Sequence, residues 1–168
     1  MNLPLLARQV GLTAEDIIFC DQYRTVHFPN TPEKMGEIIS CFDVLLSPSA
    51  GEGFGICVVE AQACGVPVIV SDFSAQPELV GAGWLVEGVR VFTPAASFQF
   101  SPSVPDILAA LKSCHGRTGR EVEDGAKRAR AKALEYDVDR VFTEFMLPAL
   151  AECEKRFKAR EPQELKAA

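Results

Sequence analysis

The sequence predicts an α/β protein in which a parallel β-sheet carries helices on both faces. Short apolar runs of strand length recur along the first half of the chain, and segments with helical spacing lie between them. Residues 43–72 contain a strand, a helix and a second strand within about 30 residues, the length of one βαβ unit. The apolar runs are continuous rather than alternating, which is typical of strands covered on both sides of the sheet.

The first predicted elements are a helix and a short strand. Residues 3–10 have a helical pattern that Gly11 ends. Residues 17–20, Ile-Ile-Phe-Cys, form an apolar run and are predicted to be a buried strand. A polar loop is predicted over residues 21–31.

A second helix and strand follow. Pro32 is predicted to be the first helical residue, with Thr31 as the N-cap. Four apolar side chains of this helix recur at helical spacing: Met35, Ile38, Ile39 and Phe42. Residues 44–46 are predicted to be the second buried strand.

The central segment is predicted to hold the rest of the sheet. A loop of small residues at 47–53 leads into a helix from Phe54 to Cys64, and Gly65 is the expected C′ residue. Three elements follow this helix: a strand at 66–70, a helical turn at 76–80 and a strand at 83–86.

The second half of the chain has a different pattern. Residues 89–103 carry phenylalanines among Pro and Ser without a clear period, and an ordered loop or a small hairpin is expected there. Three helices are predicted next, at 106–114 with a start near Val104, at 120–135, and at 139–157 with an interruption at Pro148. Residues 158–168 are predicted to be a frayed tail.

Composition narrows the possible function classes. The formal net charge of −6 argues against a general nucleic-acid binder, which would carry a basic surface. No apolar run approaches the roughly 20 residues of a membrane span, and the first residues lack the layout of a signal peptide, so we expect a cytoplasmic location. The six cysteines form no CxxC pair, most of them are expected to be buried structural thiols, and no metal site is predicted.

The candidate binding site is the loop at 47–53, which joins the end of a strand to the start of a helix. Ligands of open α/β sheets bind beyond the carboxyl ends of the strands, and free N–H groups at a helix start attract anions. Gly51, Gly53 and Gly55 leave the backbone accessible there. The pattern is neither GxGxxG nor a P-loop, and a simple tight turn is the alternative interpretation.

Two glutamates make this interpretation more specific. Glu52 lies just before the helix and Glu60 about two turns along it, so their separation approximates one sugar plus one phosphate. Carboxylates accept hydrogen bonds from hydroxyl groups. A ligand with an anionic centre and hydroxyls on both sides, a nucleotide sugar, would fit. The alternative for Glu60 is a surface carboxylate or one paired with a lysine.

These residues carry a family resemblance. The segment SPSAGEGFGICVVEAQACGVPVIVSD, with Glu52 and Glu60 eight positions apart, and the following Gln-Pro-Glu-Leu-Val at 76–80 resemble the C-terminal, donor-binding domain of GT-B glycosyltransferases. The similarity is to the retaining family 4, glycosyltransferase group 1. VGLTAEDIIFCDQ and PEKMGEIISCFDVLLSPS resemble the preceding segments of that domain, so residues 3–87 match closely. The resemblance implies a Rossmann-like fold.

The resemblance also implies roles for individual residues. Glu52 would contact the hydroxyls of the donor sugar and is the candidate catalytic residue. Glu60 would hold the ribose of a UDP-, GDP- or ADP-sugar. Backbone N–H groups of four residues would contact the sugar and the phosphates: Gly53, Phe54, Gly55 and Ile56. The family needs no metal ion for this chemistry, so no cofactor is expected.

The chain also departs from the family pattern. The family's pyrophosphate-binding Arg and Lys lie on a first strand and helix that would precede residue 1, and its acceptor domain has no counterpart here. We therefore expect an N-terminally truncated donor domain at 1–136, a crossover helix and tail at 137–168, and little activity of the isolated chain. An apolar stripe on the last helix indicates a homo-oligomer or a partner that supplies the missing acceptor domain: Val141, Phe142, Phe145, Met146 and Leu150.

Three alternatives accompany this interpretation. Asp137-Val138-Asp139 spells the DxD motif of metal-dependent glycosyltransferases, but its place at a helix start favours capping. A sugar-nucleotide epimerase or phosphorylase could use the same fold, although the glutamate pair disfavours it. A non-catalytic nucleotide-sugar-binding or assembly module is the third possibility.

Overall fold

The computed structural model describes residues 2–27 and 30–164. The chain forms two compact units, residues 1–37 and residues 38–168. In the described part of the chain, no helix combines the length and the apolar character that crossing a membrane requires.

The first unit is helical. It contains α1 (Leu3–Gln9), α2 (Gln22–His27) and the start of α3 (Pro32–Ser40). The Asn2 side chain accepts the Leu5 N–H at 3.0 Å and caps α1, and Gly11 follows the helix with a left-handed φ of 86°. The predicted end of α1 is therefore confirmed.

Two sequence expectations for the first unit are wrong. The apolar run at 17–20 is not a strand, and Ile18 is 92% exposed. A strand requires a hydrogen-bonding edge, and no strand of the described residues pairs with this run. The predicted polar loop contains α2, because the Asp21 carboxylate accepts the Arg24 N–H at 3.1 Å and caps the helix. Residues 28 and 29 of that loop lie outside the described residues.

The second unit is built on a parallel sheet. The strands β1 (Leu45–Ser47), β2 (Val68–Ser71) and β3 (Gly83–Val86) lie in the order β1-β2-β3. In the register of this sheet, Ile69 of β2 lies beside Leu46 of β1 and beside Trp84 of β3. The three strands predicted over this region are confirmed, within two residues at their ends.

Helices cover both faces of the sheet. On one face, Val58 and Ala61 of α4 (Ile56–Ala63) pack against Val68 and Val70 of β2. On the other face, α6 (Val104–His115) places Ala110 against Ile69. Every residue of β2 is buried, as a continuous apolar strand predicts. The α/β class with a Rossmann-like, doubly covered sheet is confirmed.

The remaining elements surround this core. The turn helix α5 (Gln76–Leu79) connects β2 to β3, and β4 (Gly88–Phe92) pairs antiparallel with β5 (Phe98–Pro102). The hairpin alternative for 89–103 is therefore confirmed. The charged helix α7 (Gly119–Ala133) packs against α4, and the Arg130 guanidinium donates to the Cys64 carbonyl at 3.3 Å.

The C-terminal helix is interrupted earlier than expected. A 3₁₀ turn (Leu134–Tyr136) leads to α8 (Val138–Val141), a π-helical turn (Phe142–Met146) and α9 (Leu147–Glu164). Pro148 has no backbone N–H and cannot donate a helical hydrogen bond. The turn that precedes Pro148 is the wider π-helical turn. The interruption thus lies before Pro148. The predicted frayed tail is helical to residue 164, and residues 165–168 lie outside the described part.

The cysteines are less buried than expected. Cys114 is buried, as the sequence predicted for most cysteines, and Cys64 is half-buried. The other four cysteines have exposed side chains, which corrects the prediction for most of the set: Cys20, Cys41, Cys57 and Cys153.

Candidate functional site

The loop between β1 and α4, residues 48–55, lies at the carboxyl end of the sheet. Glu52 is half-buried in this loop, and its backbone carbonyl accepts a hydrogen bond from the Ser74 hydroxyl at 2.6 Å. Within residues 2–27 and 30–164, the Glu52 carboxylate has neither a hydrogen bond nor an ion pair. Its acceptor oxygens are therefore available to a ligand's hydroxyl groups.

The helix α4 begins at Ile56, two residues later than predicted. Gly55 is the N-cap and has a left-handed φ of 97°, so Phe54 and Gly55 belong to the loop. A Cβ atom at Gly55 would lie 3.2 Å from a methyl carbon of Leu79, in a backbone conformation that already disfavours side chains. Glycine is thus required here by conformation and by packing.

The first turn of α4 offers free backbone donors. The Val58 N–H donates to the Gly55 carbonyl at 3.0 Å, whereas the N–H groups of Ile56 and Cys57 have no protein acceptor among the described residues. Unpaired N–H groups at a helix start carry partial positive charge and bind anions. Of the four residues predicted to offer backbone donors, Ile56 lies in the first turn of α4, and Gly53, Phe54 and Gly55 lie in the loop before it.

Gly53 and Phe54 differ in their surroundings. No atom lies within 4 Å of the position a Cβ atom would take at Gly53, so packing among the described residues does not require glycine there. The Phe54 ring packs edge-on against Tyr136, with centroids 5.4 Å apart and an interplanar angle of 73°. This contact joins the loop to the turn that follows α7.

Glu60 lies in an apolar groove of about 910 Å³. The groove is lined by residues of α4, of the loop before it and of the α8–π-turn segment, among them Phe54, Val59 and Phe142. Its apolar lining also includes Ile56, Tyr136, Val138, Val141, Phe145 and Met146.

Glu60 is the unpaired charge of this groove. Three charged residues line the groove, and two have partners: Arg140 pairs with Glu144 at 3.1 Å, and Glu135 pairs with Lys132 at 2.7 Å. This second pair raises the pKa of Lys132 above its ordinary value, chiefly through the hydrogen bond to Glu135. In the described residues Glu60 has no such partner, which excludes a lysine pair there, and its side chain is exposed, as the alternative of a surface carboxylate expects.

The DxD sequence is a helix cap. The Asp137 carboxylate accepts the N–H groups of Asp139 and Arg140, both at 3.1 Å, and so begins α8. The capping prediction is confirmed. The described residues contain no cluster of three or more His, Cys, Asp or Glu that could hold a metal ion.

Sequence reasoning missed three residues that support the loop. Ser71, Ser74 and Gln76 donate side-chain hydrogen bonds to the loop or to the end of β1. Gln76 is fully buried, and Ser74 has a positive φ of 60°. Polar residues at the end of an apolar strand were the only indication in the sequence that these side chains have a role. Their hydrogen-bond partners lie more than 20 residues away along the chain, so the sequence did not identify them.

Several curated relatives are named as glycosyltransferases. The D-inositol 3-phosphate glycosyltransferase of Rhodococcus erythropolis is 34% identical over 109 residues, which cover 63% of this chain and 23% of that protein. The enzyme of the same name from Gordonia bronchialis is 29% identical over 134 residues, covering 80% of this chain and 27% of that protein. The O-antigen chain mannosyltransferase B of Escherichia coli is 33% identical over 92 residues, covering 54% of this chain and 21% of that protein. The chain thus spans about a fifth to a quarter of the length of these relatives.

The match to the family itself covers the site. The sequence profile described as "Glycosyl transferases group 1" matches residues 6–101, which is more than half of the chain. That range contains the whole sheet, the loop with Glu52, and α4 with Glu60. The parallel sheet with helices on both faces is the fold expected from the resemblance, and the chain belongs to the glycosyl transferases group 1 family.

Proposed function

We propose that this chain is the nucleotide-sugar-binding part of a glycosyltransferase that acts with retention of configuration and without a metal ion. The observation that carries the proposal is the start of α4. There the free N–H groups of Ile56 and Cys57 stand between two glutamates along the chain, Glu52 and Glu60, whose carboxylates have no partner among the described residues. In a chain of this family, such an arrangement fits an anionic centre with hydroxyl groups on both sides.

Each residue then has a defined task. The N–H groups at the start of α4 bind the pyrophosphate and stabilise the negative charge that grows on it when the sugar–phosphate bond breaks. Glu52 accepts hydrogen bonds from the sugar hydroxyls and fixes the sugar for transfer to an acceptor hydroxyl, and Glu60 accepts those of the ribose. The open space at Gly53 lets the ligand approach the backbone.

The names of the relatives leave the donor open. One set is named for transfer to D-inositol 3-phosphate and another as a mannosyltransferase. UDP-, GDP- and ADP-sugars therefore all remain candidate donors for this chain. We propose that residues 1–136 bind the donor, that residues 137–168 cross over to the acceptor domain, and that this domain is supplied by the same polypeptide or by a partner.

Titration calorimetry with UDP-glucose, GDP-mannose and ADP-glucose tests this proposal. We expect at least one of them to bind, and EDTA to leave its Kd unchanged. Glu60→Gln should raise that Kd by roughly tenfold or more, because a hydrogen bond to a charged acceptor contributes about 1.5–3 kcal/mol. Glu123→Gln, which changes an exposed carboxylate on α7, is the matched control and should leave the Kd unchanged.

Three outcomes would contradict the proposal. Absence of binding by all three nucleotide sugars would remove the donor-binding role from this chain. Equal Kd values for Glu60→Gln and the wild type would remove Glu60 from the site. Binding that EDTA abolishes and manganese restores would overturn metal independence.

A further inference from the structure

The ends of β1 and β2 are separated by a side chain. The register pairs Leu45 with Val68 and Ser47 with Val70, and the Leu45 N–H donates to the Pro67 carbonyl at 2.9 Å. In a parallel ladder this pattern repeats every two residues, so the next bond would run from the Ser71 N–H to the Ser47 carbonyl.

That bond is replaced by the side-chain amide of Gln76. The Ser71 N–H donates to Gln76 Oε1 at 3.1 Å, and Gln76 Nε2 donates to the Ser47 carbonyl at 2.9 Å. The amide thus satisfies both backbone groups and holds them apart by its own width. Because Gln76 is fully buried, a partner lost at either end would leave a buried polar group unsatisfied.

Two serines near Gln76 donate hydrogen bonds to two further carbonyls of the loop. The Ser71 hydroxyl donates to the Ser49 carbonyl at 2.7 Å, and the Ser74 hydroxyl donates to the Glu52 carbonyl at 2.6 Å. Ser74 does so from a left-handed φ of 60°, a conformation that is unfavourable for a non-glycine residue.

We propose that Gln76 is a positioning residue, which opens the carboxyl end of the sheet between β1 and β2 and thereby sets the backbone of Glu52. Gln76 acts through its hydrogen bonds to Ser47 and Ser71. The hydrogen bond from the Ser74 hydroxyl to the Glu52 carbonyl fixes the loop at Glu52 itself. This inference rests on the proposed function for its effect on donor binding, but its structural content can be tested without a ligand.

The chain provides a matched control in Gln62. This glutamine is also fully buried, and its amide makes four hydrogen bonds, to the carbonyls of Val58 and Leu79 and from the N–H groups of Gly81 and Ala82. None of these partners belongs to the loop at 48–55. Replacing Gln62 therefore removes comparable buried bonding away from Glu52.

The test compares Gln76→Leu with Gln62→Leu in the full chain. Both variants should lower the melting temperature. The amide NMR resonances of Gly51 and Gly53, which flank Glu52, should move in Gln76→Leu and stay in place in Gln62→Leu. For the nucleotide sugar that the wild type binds among UDP-glucose, GDP-mannose and ADP-glucose, the Kd should rise by roughly tenfold to a hundredfold in Gln76→Leu. Gln62→Leu should leave that Kd within about twofold of the wild type.

A second variant tests the role of the amide without changing its shape. In Gln76→Glu an ionised carboxylate can accept from Ser71 but cannot donate to Ser47, whereas a protonated carboxyl can do both. We expect the wild-type resonances of Gly51 and Gly53 to return as the pH falls through the pKa of the introduced group, which burial raises.

The outcomes separate the two proposals. If no nucleotide sugar binds the wild type, the proposed function fails, and the two glycine resonances still decide the role of Gln76. If these resonances are unmoved in Gln76→Leu, or move equally in Gln62→Leu, the positioning role is overturned even where a donor binds. Resonances of Gln76→Glu that stay displaced at low pH would also overturn it.

Discussion

At the scale of single residues, the two glycines around Phe54 should respond differently to the same substitution. Gly55→Ala places a side chain at a φ of 97° and against Leu79, so we expect the free energy of unfolding to fall by about 1–2 kcal/mol. Gly53→Ala meets no atom within 4 Å, so its melting temperature should match the wild type while nucleotide-sugar binding weakens. Thermal unfolding and calorimetry on both variants measure these effects.

The Gly53 variant tests the ligand-binding role more directly than the Gly55 variant does. Loss of stability in Gly53→Ala would mean that the loop needs glycine for its own conformation. Unchanged donor affinity would mean that the ligand does not approach the backbone at this point. Either result contradicts the role assigned to Gly53.

Some residues of the candidate site could be predicted from the sequence and others could not. Glu52, Glu60 and the glycines form one contiguous pattern and could be selected from the sequence. Gln76 stands in the motif at 76–80, but its role could not be read from the sequence, because a buried amide is recognisable only through its partners, and Ser47 lies 29 residues away along the chain. Tyr136, which contacts Phe54, is more distant still, and no local period indicates the contact.

At the scale of elements, the start of α7 should make stability depend on pH. Thr118 and Glu121 form a capping box: the Glu121 carboxylate accepts the Thr118 N–H and hydroxyl, both at 2.8 Å. These bonds, the backbone one first, lower the pKa of Glu121 below its ordinary value of 4.5. Their contribution is complete above that ordinary value and is lost as the pH falls through the lower, folded pKa.

Thr118→Ala removes the hydroxyl that completes this box. We expect it to lower the melting temperature at neutral pH by about 2–4 °C and to flatten the decline of stability over the pH range from the ordinary pKa of Glu121 down through its lower, folded pKa. Thr118→Ser keeps the hydroxyl and should behave as the wild type. Thermal melts across this pH range provide the measurement, and an Ala variant with the wild-type pH profile would refute the role of the box.

The elements themselves were predictable where the local pattern and the long-range partners agree. Three apolar runs became β1, β2 and β3 because each has a neighbouring strand and a covering helix. The run at 17–20 has the same composition but no strand partner among the described residues, and it remains irregular. Composition indicates that a segment can be a strand, and pairing decides whether it is one.

At the scale of the whole molecule, the exposed apolar side of the last helices should cause association. Phe142, Phe145, Met146 and Leu150 are each about half exposed, and full burial of one such side chain contributes about 1.5–3 kcal/mol. We expect light scattering at micromolar concentration to give a mass above the 18.3 kDa of one chain. Phe145→Glu should restore the monomer.

Val104→Glu is the control for this experiment. Val104 is 73% exposed at the start of α6 and lies outside the groove that contains Glu60, so the charge there should leave the mass unchanged. A wild-type monomer that binds no hydrophobic dye would show that the apolar stripe does not drive association.

The central position of β2 has a consequence for the order in which the second unit can be completed during synthesis. All four residues of this strand are buried, yet α6, which covers one of its faces, begins only at Val104. A ribosome adds roughly 5–20 residues per second, so that face remains uncovered for roughly a few seconds after Ser71 is made. During that interval Ile69 of the nascent chain is exposed to other chains. At high expression levels we therefore expect the yield of folded protein to depend on the length of the interval.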